Sequence, residues 1–237
     1  IAESIGRAAG RLRPAHACWA VGDAGQFTNC RRWIYLPHKM LTDPFGLRSV
    51  RAMMHPDHLS PDVAGPAGPI DPDFTLLSIR GGDGSPLAVL GNFSMHYFGA
   101  ADLSPDFTGE LCRLFEEDAA REAPQSAPMV ALMSQGTSGD LHYMAYSIAA
   151  AAQRYKGKPN GFDAYCRDLA GVAREALGRV RHRADLCLAM AETEITLDRR
   201  VPDAARLAWA APIVAATDGP PKDKREVYAA EDRKSVV

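Results

Sequence analysis

Apolar residues recur along this chain in two patterns, and most of the expected elements follow from them. The run Leu87-Ala88-Val89-Leu90-Gly91-Asn92-Phe93-Ser94-Met95 and the run Pro128-Met129-Val130-Ala131-Leu132-Met133-Ser134 read as buried strands. Phe74 to Arg80 and Pro86 to His96 bracket Gly81-Gly82-Asp83-Gly84, the signal of a strand, tight turn and strand. Ala15 to Val21 adds a further strand. Helical spacing appears at Phe107, Leu111, Leu114 and Phe115, after a cap, proline and acidic first turn at Ser104-Pro105-Asp106, which predicts a helix to about Ala123. It appears again in Phe162, Leu169, Val172, Ala176 and Val180, predicting a helix over 162–180.

Elsewhere the pattern is thinner. Ile1, Ile5 and Leu12 mark one side of an amphipathic helix that Pro14 ends. Gly22 to Pro72 has no sustained period and reads as a long folded loop that helps to build a site. Met144 to Ala152 is rich in small residues, and Lys156 to Gly161 reads as a turn. Asp185 to Asp198 is expected as a strand, with Pro202 to Ala216 and Asp223 to Glu231 helical. This order of elements predicts an α/β fold, a mixed β-sheet flanked by helices. Residues 1–231 read as one partial domain cut at both ends, with Ile1 in mid-helix, and 232–237 as a non-native tail.

Composition narrows the classes without choosing one. The 237 residues are 46% hydrophobic and 24% charged, ordinary for a globular chain. With 27 basic and 29 acidic residues the formal charge is -2, so there is no electrostatic footprint for nucleic acid or an anionic membrane. Five widely spaced cysteines exclude a Cys-x-x-Cys zinc knuckle and argue against a disulfide framework; Cys112 and Cys166 read as small buried hydrophobes. No run is long enough for a transmembrane span, and no signal peptide is visible.

Candidate chemistry gathers where the two apolar runs end. His96 closes the first, at the carboxyl end of a strand, where α/β enzymes place metal ligands and bases. The second runs into Gln135-Gly136-Thr137-Ser138-Gly139-Asp140-Leu141-His142, whose glycines allow close backbone approach to a ligand. Asp140 and His142 add an acceptor and a titratable base. His55-Pro56-Asp57-His58 has metal-like composition, but its proline breaks regular ligand geometry, and it is left out of the site. Asp106 reads as a helix cap and dipole partner, not a catalytic acid.

Five motifs stand in register with a known family: Asn29-Cys30-Arg31-Arg32, Gly68-Pro69-Ile70-Asp71-Pro72, Asn92-Phe93-Ser94-Met95-His96, Ser104-Pro105-Asp106-Phe107-Thr108-Gly109, and Gln135-Gly136-Thr137-Ser138-Gly139-Asp140. Their order and spacing resemble the catalytic domain of the neutral, non-lysosomal ceramidases, closest to uncharacterised bacterial members. The resemblance implies a zinc-dependent hydrolysis of a lipid N-acyl amide, with the metal held by two histidines, a glutamate and a tyrosine. His96 matches the second histidine, and the other ligands would lie outside the chain. Arg32, with Arg31 beside it, matches the arginine that faces the carboxylate end of the acyl product, and Gly136 and Ser138 would line the substrate.

One departure bears on substrate. The family's Gly-Asp-x-Ser sequence carries a serine implicated in catalysis, whereas Gly139-Asp140-Leu141 is followed here by His142. A different amide or ester hydrolase on the same scaffold, or a non-catalytic ligand-binding member, therefore stays open. The resemblance further implies a small-molecule or lipid amide partner and a secreted or periplasmic location. It leaves oligomeric state undefined.

Overall fold

The computed structural model describes residues 1–198 and 201–234. The described residues divide into two compact units, one of residues 1–36 and 52–187 and the other of 37–51 together with those from 188 onward.

The first unit opens with helix α1 (Ala2–Ala9) and strand β1 (Ala15–Asp23), followed by β2 (Asn29–Cys30), β3 (Arg32–Tyr35), β4 (Ala52–Met54) and β5 (Val63–Pro66). Then come β6 (Asp73–Gly81), β7 (Pro86–Phe93), helix α2 (Asp106–Glu122), β8 (Val130–Gln135), β9 (Leu141–His142) and helix α3 (Gly161–Gly178). The main sheet has the order β1-β6-β7-β8 and is mixed: β1, β6 and β7 run antiparallel in turn, and β8 lies parallel to β7. The β6–β7 hairpin turns at Gly84, whose φ of 82° suits glycine. The fold is α/β, a mixed sheet with helices packed on it.

One face of the sheet makes the core. Phe74, Leu76, Val89, Phe93 and Ala131 alternate inward from the strands and meet Phe107, Leu111 and Phe115 of α2 and Tyr165, Leu169 and Ala173 of α3. Cys166 is fully buried there and all five cysteines are free, consistent with packing rather than cross-linking. The opposite face is apolar and open. Trp19, Leu77, Leu90 and Leu132 sit side by side across the four strands, with Ala17, Ile79, Ala88 and Val130 in the next row. Trp19, Leu132 and Val130 are 58%, 54% and 54% exposed.

Two expectations change. The long loop over 22–72 contains β2 to β5, with β4-β3-β5 forming a three-stranded sheet. Its strands are two to four residues long, too short for alternation to show in the sequence. Asp185 to Asp198, expected as a strand, takes no regular structure. Leu188 and Leu197 are 94% and 81% exposed: the alternation has no neighbouring ladder to satisfy it.

The second unit carries α4 (Ala204–Ala216) and α5 (Lys224–Lys234), near the expected ranges. Asp203 caps α4 by accepting from the Arg206 N–H at 2.8 Å. Asp232 to Lys234, excluded from the reading as tail, continue α5, where buried Asp232 accepts from Arg206 Nε at 2.8 Å. The rest of that stretch, 235–237, lies outside the described residues. No helix among the described residues is long and apolar enough to cross a membrane.

Candidate functional site

The strand ends of β7 and β8 lie side by side, and the chain leaving each is held in place by groups from distant sequence. Beyond β7, Thr28 Oγ1 donates to Ser94 O at 3.0 Å, Gln135 Nε2 donates to Met95 O at 3.0 Å, and the His96 N–H donates to Leu141 O at 3.3 Å. Ser94, fully buried, donates to Asp71 Oδ2 at 2.6 Å and accepts from the Thr137 N–H at 2.9 Å. The loop after His96 is fixed by Asp106, whose carboxylate accepts from the N–H groups of Phe98 (2.8 Å), Gly99 (3.0 Å), Ala100 (2.9 Å) and Phe107 (2.7 Å). Asp106 thus ties this loop to the first turn of α2 by accepting from four backbone N–H groups, three of them in the loop, while Pro105 takes the N-cap position of the helix.

Gly136 explains itself by contact. A Cβ there would lie 2.2 Å from Ser94 Oγ, so only glycine lets the loop close on the strand end. Its N–H donates to Phe93 O at 3.0 Å and is therefore engaged within the fold instead of turning to a substrate. Ser138 is half-buried, and its carbonyl accepts from the Leu141 N–H at 3.3 Å to close the loop. Replacing Gly136 with alanine is expected to cost about 1–3 kcal/mol by overpacking. Gly139→Ala, at a position with open space, should stay within about 0.5 kcal/mol. Urea denaturation of the two variants checks the contrast, and equal midpoints would contradict it.

Arg31 is the cation at the centre of the cluster. Its N–H donates to Asp140 O at 2.7 Å, Nη2 donates to Gly139 O at 2.8 Å, and Nη1 lies 3.1 Å from His55 Nε2. Arg32, in contrast, is exposed on β3 and faces the Asp140 carboxylate at 3.8 Å. An exposed pair at that distance stabilises little. Of the two arginines, it is Arg31 that the fold turns toward the histidines, and Asp140 lies on the Arg32 side.

His142 is buried on β9, paired with Asn29 across β2, and its ring centroid lies 5.2 Å from that of His55. Burial, reinforced by the Arg31 charge and by repulsion from His55 and His96 whenever these are protonated, pushes its pKa down to about 4. Burial and Arg31 also lower those of His55 and His96. At neutral pH the cluster therefore holds one permanent charge, Arg31, among neutral imidazoles. Among the described residues, two buried side-chain polar atoms have no hydrogen-bond partner, Arg31 Nε and His142 Nδ1, and both belong to this cluster. Buried polar atoms are rarely left so.

The fold thus brings together Arg31, His96 and His142 of the expected residues, and keeps Arg32 and Asp140 at the rim and Gly136 in a packing role. Sequence reading missed His55, rejected for its proline, and Tyr146, whose hydroxyl meets His55 Nδ1. Neither carries a local signal, because their partners lie 24 and 91 residues away from His55.

The donor set does not make a zinc site by itself. Among the described residues, no three histidine, cysteine, aspartate or glutamate side chains are placed to hold a metal ion. A catalytic zinc takes about three protein ligands. His96 offers one.

No protein-family model matches the chain, and no curated protein matches it in sequence. Among solved structures it is similar to neutral ceramidase from Pseudomonas aeruginosa, at 19% identity and a TM-score of 0.46, over 75% of this chain and 25% of that one. It is also similar to a ceramidase complexed with C2, at 19% identity and a TM-score of 0.48, over 73% of this chain and 24% of that one. The chain spans about a quarter of the length of these structures.

Proposed function

We propose that this chain forms part of the catalytic domain of a zinc-dependent amidohydrolase of the neutral ceramidase kind, cleaving the N-acyl amide bond of ceramide or a related lipid amide. One observation carries the reading: the five motifs on which the sequence resemblance rests are wired to one another around a single pair of strand ends. Asp71 meets Ser94, Ser94 meets Thr137, Asp106 holds the loop after His96, and Arg31 reaches Gly139 and Asp140. Segments up to 109 residues apart in sequence, Arg31 and Asp140, meet at these strand ends, which supports reading them as parts of one active centre.

In this reading His96 contributes one imidazole to the metal, with the remaining donors outside the described residues. Bound zinc would supply Lewis acidity and an activated water. The guanidinium of Arg31 is set to receive the acyl carbonyl or carboxylate oxygen, because its Nε–H is buried and unpartnered. His142, neutral at pH 7, suits orienting a water better than storing a proton, since a base of pKa about 4 is a weak one at that pH. Its place where the family carries serine favours a second reading, a hydrolase of a different amide or ester on this scaffold.

Two measurements test the proposal. The 237-residue chain alone should bind zinc weakly and turn over no N-acyl amide; tight stoichiometric zinc with turnover would overturn the ligand assignment. The longest open reading frame containing the chain should then be assayed on ceramides, other N-acyl amides and esters, with His96→Ala as control. Full turnover in that variant would end the reading, and preference for a non-ceramide substrate would favour the second.

A further inference from the structure

The three kinds of nitrogen in the Arg31 guanidinium have three different fates. Nη2 is held by Gly139 O, Nη1 faces His55 Nε2, and Nε is buried without a partner. A guanidinium can only donate, so His55 Nε2 must be unprotonated and accept. A neutral imidazole then carries its one proton on Nδ1, and that N–H donates to the Tyr146 hydroxyl. The order of donors fixes the tautomer without reference to any substrate.

The backbone supports the same geometry. His55 has a φ of 54°, in the left-handed region that few side chains adopt, and its N–H donates to Arg31 O at 2.8 Å. Tyr146 is buried, and its ring stacks on His58 at 5.4 Å between centroids, which holds the hydroxyl in place. His58 Nδ1 in turn meets Ala145 O at 3.2 Å. Burial and the neighbouring Arg31 charge keep His55 in its neutral form. The segment excluded from the site by its proline is therefore its brace.

We infer that His55 and Tyr146 are positioning residues for Arg31: the Tyr146 hydroxyl selects the His55 tautomer that can accept from Nη1, and that bond, with the one to Gly139, aims the free Nε–H into the site. What Arg31 meets there rests on the proposed amidohydrolase; the tautomer and the aim of the guanidinium do not. A second consequence separates this from a merely structural role. Removing the hydroxyl frees the proton to move to Nε2, where it opposes the Arg31 N–H, so Tyr146→Phe should act on Arg31 only through the imidazole.

The experiment is nitrogen NMR on the 237-residue chain. In the wild type, His55 should carry its proton on Nδ1; a proton on Nε2 overturns the inference, whatever any variant does. Hydrogen exchange of Arg31 Nε–H should quicken about tenfold or more in His55→Leu and in Tyr146→Phe, as expected when a pinning bond is lost. His55→Gln, which keeps one acceptor and one donor, should stay within about twofold of wild type. Tyr146→Phe added to His55→Gln should change nothing further, and an equal effect in both backgrounds would overturn the tautomer argument. In an active polypeptide carrying the chain, His55→Leu should raise KM about tenfold with kcat nearly unchanged, and His55→Gln should restore it. An inactive wild-type polypeptide would sink the amidohydrolase reading and leave the brace to be judged by exchange and tautomer alone.

Discussion

Tyr165→Ala is expected to destabilise the first unit by about 3–5 kcal/mol, the range for removing a large aromatic ring from a core. The residue is fully buried on α3 and is the hub of an aromatic cluster. Its ring lies edge-on to Phe27, Phe107, Tyr155 and Tyr143 at 5.6, 6.1, 5.2 and 6.1 Å, and tilted against Phe98 at 5.1 Å. The cavity would open under Phe98 and Tyr143, which stack at 3.9 Å and flank His96 and His142 in sequence, so the site should loosen with the core. Tyr165→Phe keeps the ring and loses only the hydroxyl donated to Phe27 O at 3.2 Å, at about 1 kcal/mol. Urea denaturation followed by circular dichroism measures both. A cost below about 1 kcal/mol for the alanine variant would mean that the hub is not there.

Acidification from pH 6.5 to pH 4 should remove up to about 3 kcal/mol of stability through His142 alone. Its pKa falls from an ordinary 6.5 to about 4 on folding, chiefly through burial. The unfolded chain therefore binds a proton in this window while the folded chain refuses it, and stability rises with pH. The contribution is complete above the unfolded value and lost as pH falls toward the folded one. His55 and His96, both lowered, act in the same direction. Depressed carboxylates such as Glu122 and Asp118 lose their own contribution at lower pH, so the useful measurement is a difference. The urea midpoint of His142→Gln should depend less steeply on pH between 4 and 6.5 than that of the wild type. Parallel curves would show that the imidazole is not desolvated.

Both expectations concern residues whose significance reached the surface of the sequence unequally. Tyr165 stands in a helix legible from its apolar spacing, as α2 is, while β7 and β8 were legible as apolar runs and the β6–β7 hairpin from its glycine-rich turn. His96 and the loop ending in His142 could be singled out because strand ends are where α/β sheets expose polar chemistry. The two-residue β2–β9 pairing could not be, since nothing local in Asn29-Cys30 or Leu141-His142 announces a partner 111 to 113 residues away. Asp185 to Asp198 shows the converse, an alternating pattern that finds no ladder.

The arginine pair marks the boundary most sharply. By itself, the sequence determined that two guanidiniums, a strand-end histidine and a glycine-rich loop would be present, and where the long strands and helices would run, because apolar patterning acts locally. It read 128–134 as a buried strand, whereas Val130 and Leu132 of β8 stand 54% exposed on the open face of the sheet. Only the tertiary structure decided that Arg31 rather than Arg32 faces the histidines, that Gly136 packs on Ser94 and donates its N–H to Phe93 O, and that His55 and Tyr146 belong with them. Adjacent residues on an extended chain point to opposite sides, and which side becomes the site depends on what the rest of the fold brings to it.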